Sequence, residues 1–141
     1  MYLWDSNILR YFGTGHPQLT SSLQQVSWSE IGLPSVVVAE VLCGRCDFAL
    51  KALPEQAPFA YAALASTLKL LNRFNTVVFN EEAAEALKEL QQRHKAHKRY
   101  ADLQIAAMAK AGGHVVVTRN LKHFKELLPR NQLANWIDDG G

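Results

Sequence analysis

The hydrophobic positions of this chain fall into short blocks whose spacing alternates between strand-like and helical. Met1 to Trp4 is a brief apolar run that stops at Asp5, and Ile8-Leu9 follows the polar pair Ser6-Asn7. That order predicts a strand, a turn and a helix, with Ser6 or Asn7 available as N-cap. Gly13, Gly15 and Pro17 break the pattern, and a second helix is expected over about 18–27. Trp28 to Leu33 has room for a short strand. Pro34-Ser35 then reads as a helix start with Ser35 as N-cap, while the β-branched Val36-Val37-Val38 could instead prolong the strand. Beyond a connector framed by Pro54 and Pro58, the apolar positions Ala60, Ala63, Leu64, Leu68 and Leu71, with Thr67, keep helical spacing. Thr76 to Phe79 is a strand candidate, and Glu81 to Arg93 an amphipathic helix with acids in its first turn. Ala101 to Ala111 is helical and closed by Gly112-Gly113. Val115 to Val117 is the continuous apolar run of a strand covered on both faces, and Leu133 to Ile137 is the last strand expected.

Short strands alternating with helices predict an α/β fold, a parallel sheet with helices on both faces. No repeat, low-complexity tract or long linker divides the 141 residues, so one domain over 1–141 is expected. No apolar run approaches the roughly 20 residues needed to span a bilayer. The N-terminus has an acid at position 5 and no basic segment, unlike a secretory signal, so the expected location is the cytoplasm.

The net charge of +2 rules out a general polycation and shifts attention to local patches. Arg93, Lys95, Lys98 and Arg99 lie within seven acid-free residues; Arg119, Lys122, Lys125 and Arg130 form a second stretch. Such patches suit a localised polyanion contact or a solvated helix face. Cys43 and Cys46 are spaced C-x-x-C. Zinc would require further ligands, His94 and His97 on paper, and two partly buried thiols are the favoured reading.

The candidate chemistry is carboxylate. In open parallel sheets, ligands bind beyond the carboxyl ends of the strands. Asp5 ends the first strand and Thr118-Arg119-Asn120 follows the Val115–Val117 run. Glu40 interrupts an otherwise apolar helix, and Asp102 sits in a second one. Each has a plain structural role open to it: Asp5 as a helix cap, Glu40 reaching to the surface, Asp102 as a first-turn acid. Buried unpaired, each would cost several kcal/mol, so without an exit to water it needs a basic partner or a cation. Three converging carboxylates are the oxygen ligands that a hard divalent ion takes. There is neither a G-x-x-x-x-G-K-[ST] loop nor a G-x-S-x-G elbow to suggest other hydrolytic chemistry.

Four segments, in order and over nearly the whole chain, resemble the PIN-domain ribonucleases and, within them, the VapC-type toxins of toxin–antitoxin pairs. They are Tyr2-Leu3-Trp4-Asp5-Ser6-Asn7-Ile8-Leu9, Val38-Ala39-Glu40-Val41-Leu42-Cys43-Gly44, Ala101-Asp102-Leu103-Gln104-Ile105-Ala106-Ala107-Met108-Ala109 and Val117-Thr118-Arg119-Asn120-Leu121-Lys122-His123-Phe124; the closing Asn135-Trp136 also fits. The resemblance implies an αβα sandwich and Mg²⁺- or Mn²⁺-dependent endonucleolytic cleavage of RNA, leaving a 5′-phosphate and a 3′-hydroxyl. It implies Asp5, Glu40 and Asp102 as catalytic metal ligands, a cognate antitoxin as partner, and a homodimer. Ser6, Thr118 and Asn120 are expected to support the site, and Arg99 and Arg119 to position the RNA backbone. Trp4, Tyr11, Phe12 and Phe48 are candidates to line an antitoxin cleft, or core residues. The family's usual fourth acid is replaced by His123, which weakens the case for a second metal. An imidazole there would suit Mn²⁺ better than Mg²⁺, contact phosphate, or simply sit at the rim. The alternative reading is a degenerate domain of this kind that binds RNA or a protein without cleaving.

Overall fold

The computed structural model describes residues 1–138; Asp139, Gly140 and Gly141, which the expected 1–141 domain includes, lie outside the described residues. Its strands are β1 (Tyr2–Trp4), β2 (Ile31–Pro34), β3 (Asn75–Val77), β4 (Val115–Val117) and β5 (Leu133–Ala134). They form one parallel sheet in the order β3-β2-β1-β4-β5. The α-helices are α1 (Ser6–Gly13), α2 (Pro17–Leu23), α3 (Ser35–Lys51), α4 (Ala57–Leu71), α5 (Glu81–Arg93) and α6 (Tyr100–Gly112).

The α/β expectation holds. Successive side chains of a strand point to opposite faces. Leu3 and Trp4 are both fully buried, as are Val116 and Val117, so both faces of the sheet are covered. The steps from β1 to β2 and β2 to β3 run one way along the sheet, and β3 to β4 runs back past β1. Right-handed crossovers therefore put α1 to α4 on one face and α5 with α6 on the other. Packing largely agrees: α1 meets α2 and α3, α3 meets α4, and α5 meets α6, while α3 and α6, which carry Glu40 and Asp102, also touch. At the sheet's centre Trp4 joins Phe12, Phe74 and Trp136 in an aromatic cluster. It is core rather than cleft lining. No helix among the described residues is long and apolar enough to cross a membrane.

Several boundaries move for identifiable reasons. Asp5, not Ser6 or Asn7, caps α1, its side chain accepting from the Ile8 amide at 3.0 Å. Trp28–Glu30 is a 3₁₀ turn, and only the residues after it enter the sheet. Ser35 is the first residue of α3 rather than its cap. Its hydroxyl donates to the Val77 carbonyl at 3.1 Å and accepts from the Phe79 amide at 3.0 Å, tying α3 to the end of β3. Val36-Val37-Val38 is helical, since burial of Val37 outweighs β propensity. The last strand is only two residues long, because the Asn135 side chain accepts from the Ile137 and Asp138 amides and turns the chain. Gly113, at φ +66°, closes α6 in the left-handed conformation that glycine adopts without strain.

Candidate active site

The reversal of strand order falls between β1 and β4, and Asp5 and Thr118 stand just beyond the carboxyl ends of those two strands. Asp5 is 7% exposed. One carboxylate oxygen caps α1; the other accepts from the Thr118 hydroxyl at 2.7 Å. Thr118, fully buried, also accepts from the Asn120 amide at 3.0 Å. The sequence folds this way because the chain must turn sharply from β1 into α1, and a short carboxylate satisfies the free amide while keeping lone pairs for another partner.

Glu40, from the second turn of α3, and Asp102, from the first turn of α6, open with Asp5 onto one cavity of about 320 Å³. Asp102 also sits where an acid favours the helix dipole, so its structural and functional readings coexist. Burial pushes the Asp5 carboxyl above its ordinary value; hydrogen bonds from Thr118 and the Ile8 amide oppose this, and the charge of Asp102 adds to it. Glu40 is exposed as a residue, yet partial burial of its carboxyl, then the charges of Asp102 and Asp5, raise it too, against the pull of Arg99. The carboxylates thus feel one another, and the cavity holds more negative charge than its own cations relieve. Arg99 supplies part of that relief, its Nε donating to Asp102 Oδ2 at 2.7 Å. His123 Nδ1 stands 3.8 Å from the same oxygen.

Ser6, Asn120, Arg99 and His123 line the cavity with these acids. Thr118 does not reach it and acts only through Asp5 and Asn120. Arg119 is not brought there either. Its guanidinium donates to the Tyr11 hydroxyl at 2.7 Å and to Asp138 at 3.2 Å, outside the cavity. Tyr11 faces Arg119 rather than an open cleft. The thiols of Cys43 and Cys46 are exposed in the middle of α3, not partly buried. Among the described residues, no three His, Cys, Asp or Glu side chains stand close enough together, as placed, to hold a metal ion. Asn7, expected only as a possible cap, Lys98, expected only as part of a basic stretch, and Tyr100 also line the cavity. Lys98 and Tyr100 directly flank Arg99, and that adjacency was the signal available.

His97, its side chain 7% exposed, organises the rim. The Arg99 amide donates to its Nδ1 at 3.3 Å, so the ring proton sits on Nε2 and points at the His123 carbonyl, 3.2 Å away. One imidazole thereby ties together the backbone at two of the lining residues, Arg99 and His123. His97→Ala strands these backbone groups and is expected to lower stability by about 1–2 kcal/mol. His97→Gln, able to donate to the His123 carbonyl, should recover part of that loss in thermal unfolding.

Fold and site together define an α/β domain with an acidic cavity at the carboxyl edge of its sheet. The PIN domain family model matches residues 2–127, and the chain belongs to that family. Solved structures of similar fold include DNA-bound VapBC from Salmonella typhimurium (TM-score 0.74, 23% identity, 96% of this chain and 97% of that one). Others are FitAcB from Neisseria gonorrhoeae (0.73, 23%, 96% and 98%) and a toxin–antitoxin complex from Klebsiella pneumoniae (0.69, 21%, 96% and 98%). No curated protein matches the chain in sequence.

Proposed function

We propose that this chain is a divalent-metal-dependent endoribonuclease, the VapC-type toxin of a toxin–antitoxin pair, working in the cytoplasm under restraint by a small antitoxin. The observation that carries this reading is the convergence of Asp5, Glu40 and Asp102, from three separate elements, on one cavity at the switch point of the sheet. PIN family membership and the toxin–antitoxin neighbours support it. A homodimer belongs to the same reading, with exposed Leu50, Leu53 and Phe59 as apolar surface available to a second copy.

The donor set fits Mg²⁺ or Mn²⁺: oxygen ligands only, mutually repelling, two of them with raised carboxyl pKa values. Asp5, Glu40 and Asp102 would hold the ion, which supplies charge stabilisation at a phosphoryl oxygen and an activated water. Thr118 keeps Asp5 oriented and partly offsets the cost of its charge. Ser6 and Asn120 present polar side chains to the cavity, where a phosphate oxygen or a water can be bound. Lys98 and Arg99 bring positive charge to the same opening, suited to the phosphates flanking the scissile bond. His123 is placed to contact phosphate or to share Asp102.

The 2.7 Å Arg99–Asp102 pair favours the second reading, a domain that binds without cleaving, because a guanidinium occupies an oxygen the ion needs. Metal titration and cleavage assays separate the two. The nuclease reading expects single-stranded RNA to be cut with Mn²⁺ and spared with excess EDTA. It also expects Mn²⁺ at a hundred times its Kd to stabilise the fold by about 2.7 kcal/mol, read as a rise in Tm. RNA cutting that persists in EDTA, or no metal binding by calorimetry, overturns it.

A further inference from the structure

We infer that Tyr100 is the platform of a subsite for one unpaired nucleobase, placed at the rim of the carboxylate cavity. This rests on the RNA-cleaving reading above and adds the residue that would take a base beside the scissile phosphate. Tyr100 is 52% exposed although it lines the cavity. Among the described residues, no aromatic ring packs against it. Other exposed rings exist, Phe59 and Tyr61 among them, but they lie on α4 and line no part of this cavity. Among the described residues, only Tyr100 combines a free aromatic surface with a place beside the acids.

Its neighbours suit a nucleotide. Lys98 and Arg99 line the same cavity and bring positive charge for the phosphates on either side of a base. The segment is fixed before any ligand arrives, since the buried His97 ring accepts from the Arg99 amide and ties it to the His123 carbonyl. Tyr100 and Asp102 line the same cavity, so a base on the ring and a phosphate at the carboxylates would belong to the same short stretch of strand. Stacking needs an exposed base face. A continuous duplex keeps its bases stacked on one another, whereas loops and single strands offer them to aromatic side chains. The subsite therefore selects unpaired RNA.

The test compares binding of a short labelled oligouridine and of a blunt RNA duplex, in EDTA and low salt, to the wild-type protein and to Tyr100→Ala, Tyr100→Phe and Tyr100→Leu. For the single strand, Tyr100→Ala should weaken binding roughly 5- to 100-fold. Tyr100→Phe should stay close to wild type, and Tyr100→Leu, apolar without a ring, should resemble Ala. Duplex affinity should not change. Unchanged single-strand affinity in Tyr100→Ala, equal losses on both ligands, or no single-strand binding by the wild type overturns the subsite. Because binding is read without metal, this failure is distinct from failure of the nuclease reading. Cleavage that Mn²⁺ supports and Asp5→Asn abolishes would leave the latter standing even if Tyr100 proved inert.

Discussion

Asp5→Asn should lower RNA cleavage by more than about 100-fold and at the same time raise the Tm of the metal-free protein at neutral pH. Losing a group that merely orients a metal ligand typically costs 10- to 100-fold, so losing a ligand should cost more. The fold does not need the charge. Asparagine caps a helix as well as aspartate does, and its carbonyl can still accept from the Ile8 amide. The folded-state pKa of Asp5 lies above its ordinary value of 3.8, chiefly through burial. Ionising it therefore weakens the fold. Its cost is absent below the unfolded value and grows as pH rises through the folded one. Asparagine carries no such cost, although its Nδ2 replaces the oxygen that accepts from Thr118 and this offsets part of the gain, so the Tm of Asp5→Asn relative to the wild type should rise from acid to neutrality. Cleavage assays with chelator-treated controls, beside thermal melts across pH, check both halves. Wild-type activity in this variant would remove Asp5 from the site.

That opposition between stability and activity explains which parts of the site were legible. Asp5 and Asp102 broke apolar runs at element boundaries, and Glu40 broke one inside a helix, which an acid does at a cost that must be offset somewhere. Such residues stand out without coordinates. The parallel sheet was legible for a related reason: the run Val115–Val117 can be buried only if both faces of its strand are covered. Relations across long sequence separations were not legible. Ser35 looks like a cap, yet its hydroxyl is taken by β3 forty-odd residues away. Arg119 follows Thr118 directly, but the chain bends there, and its guanidinium pairs with Tyr11 and Asp138 rather than lining the cavity. His97 is one histidine in a basic run, and nothing local marks it as the ring that joins two rim segments. Exposure, which singles out Tyr100, is likewise a property of the folded surface.

Thr118→Val should reproduce much of the activity loss of Asp5→Asn with the opposite effect on stability. Valine has nearly the shape of threonine, so the fully buried position is not emptied. What goes is the hydroxyl that donates to Asp5 at 2.7 Å and accepts from the Asn120 amide at 3.0 Å. A buried carboxylate loses a donor and a buried amide loses an acceptor, at a cost of about 1–3 kcal/mol. The hydrogen bond from Thr118 favours the charged form of Asp5, so without it the pKa climbs further. The stabilisation it provides is present when Asp5 is ionised and shrinks as pH falls through the folded pKa. The deficit of Thr118→Val should therefore be greatest at neutral pH and narrow in acid. Activity should fall about 10- to 100-fold, the range for a group that orients a metal ligand, and Mn²⁺ affinity should fall with it. Measured together, the two variants isolate the role of the charge. Asp5→Asn relieves an electrostatic cost that Thr118→Val makes worse, while both impair the same ligand. Equal Tm changes of the same sign would mean that Asp5 serves chiefly as a cap and that its charge is incidental.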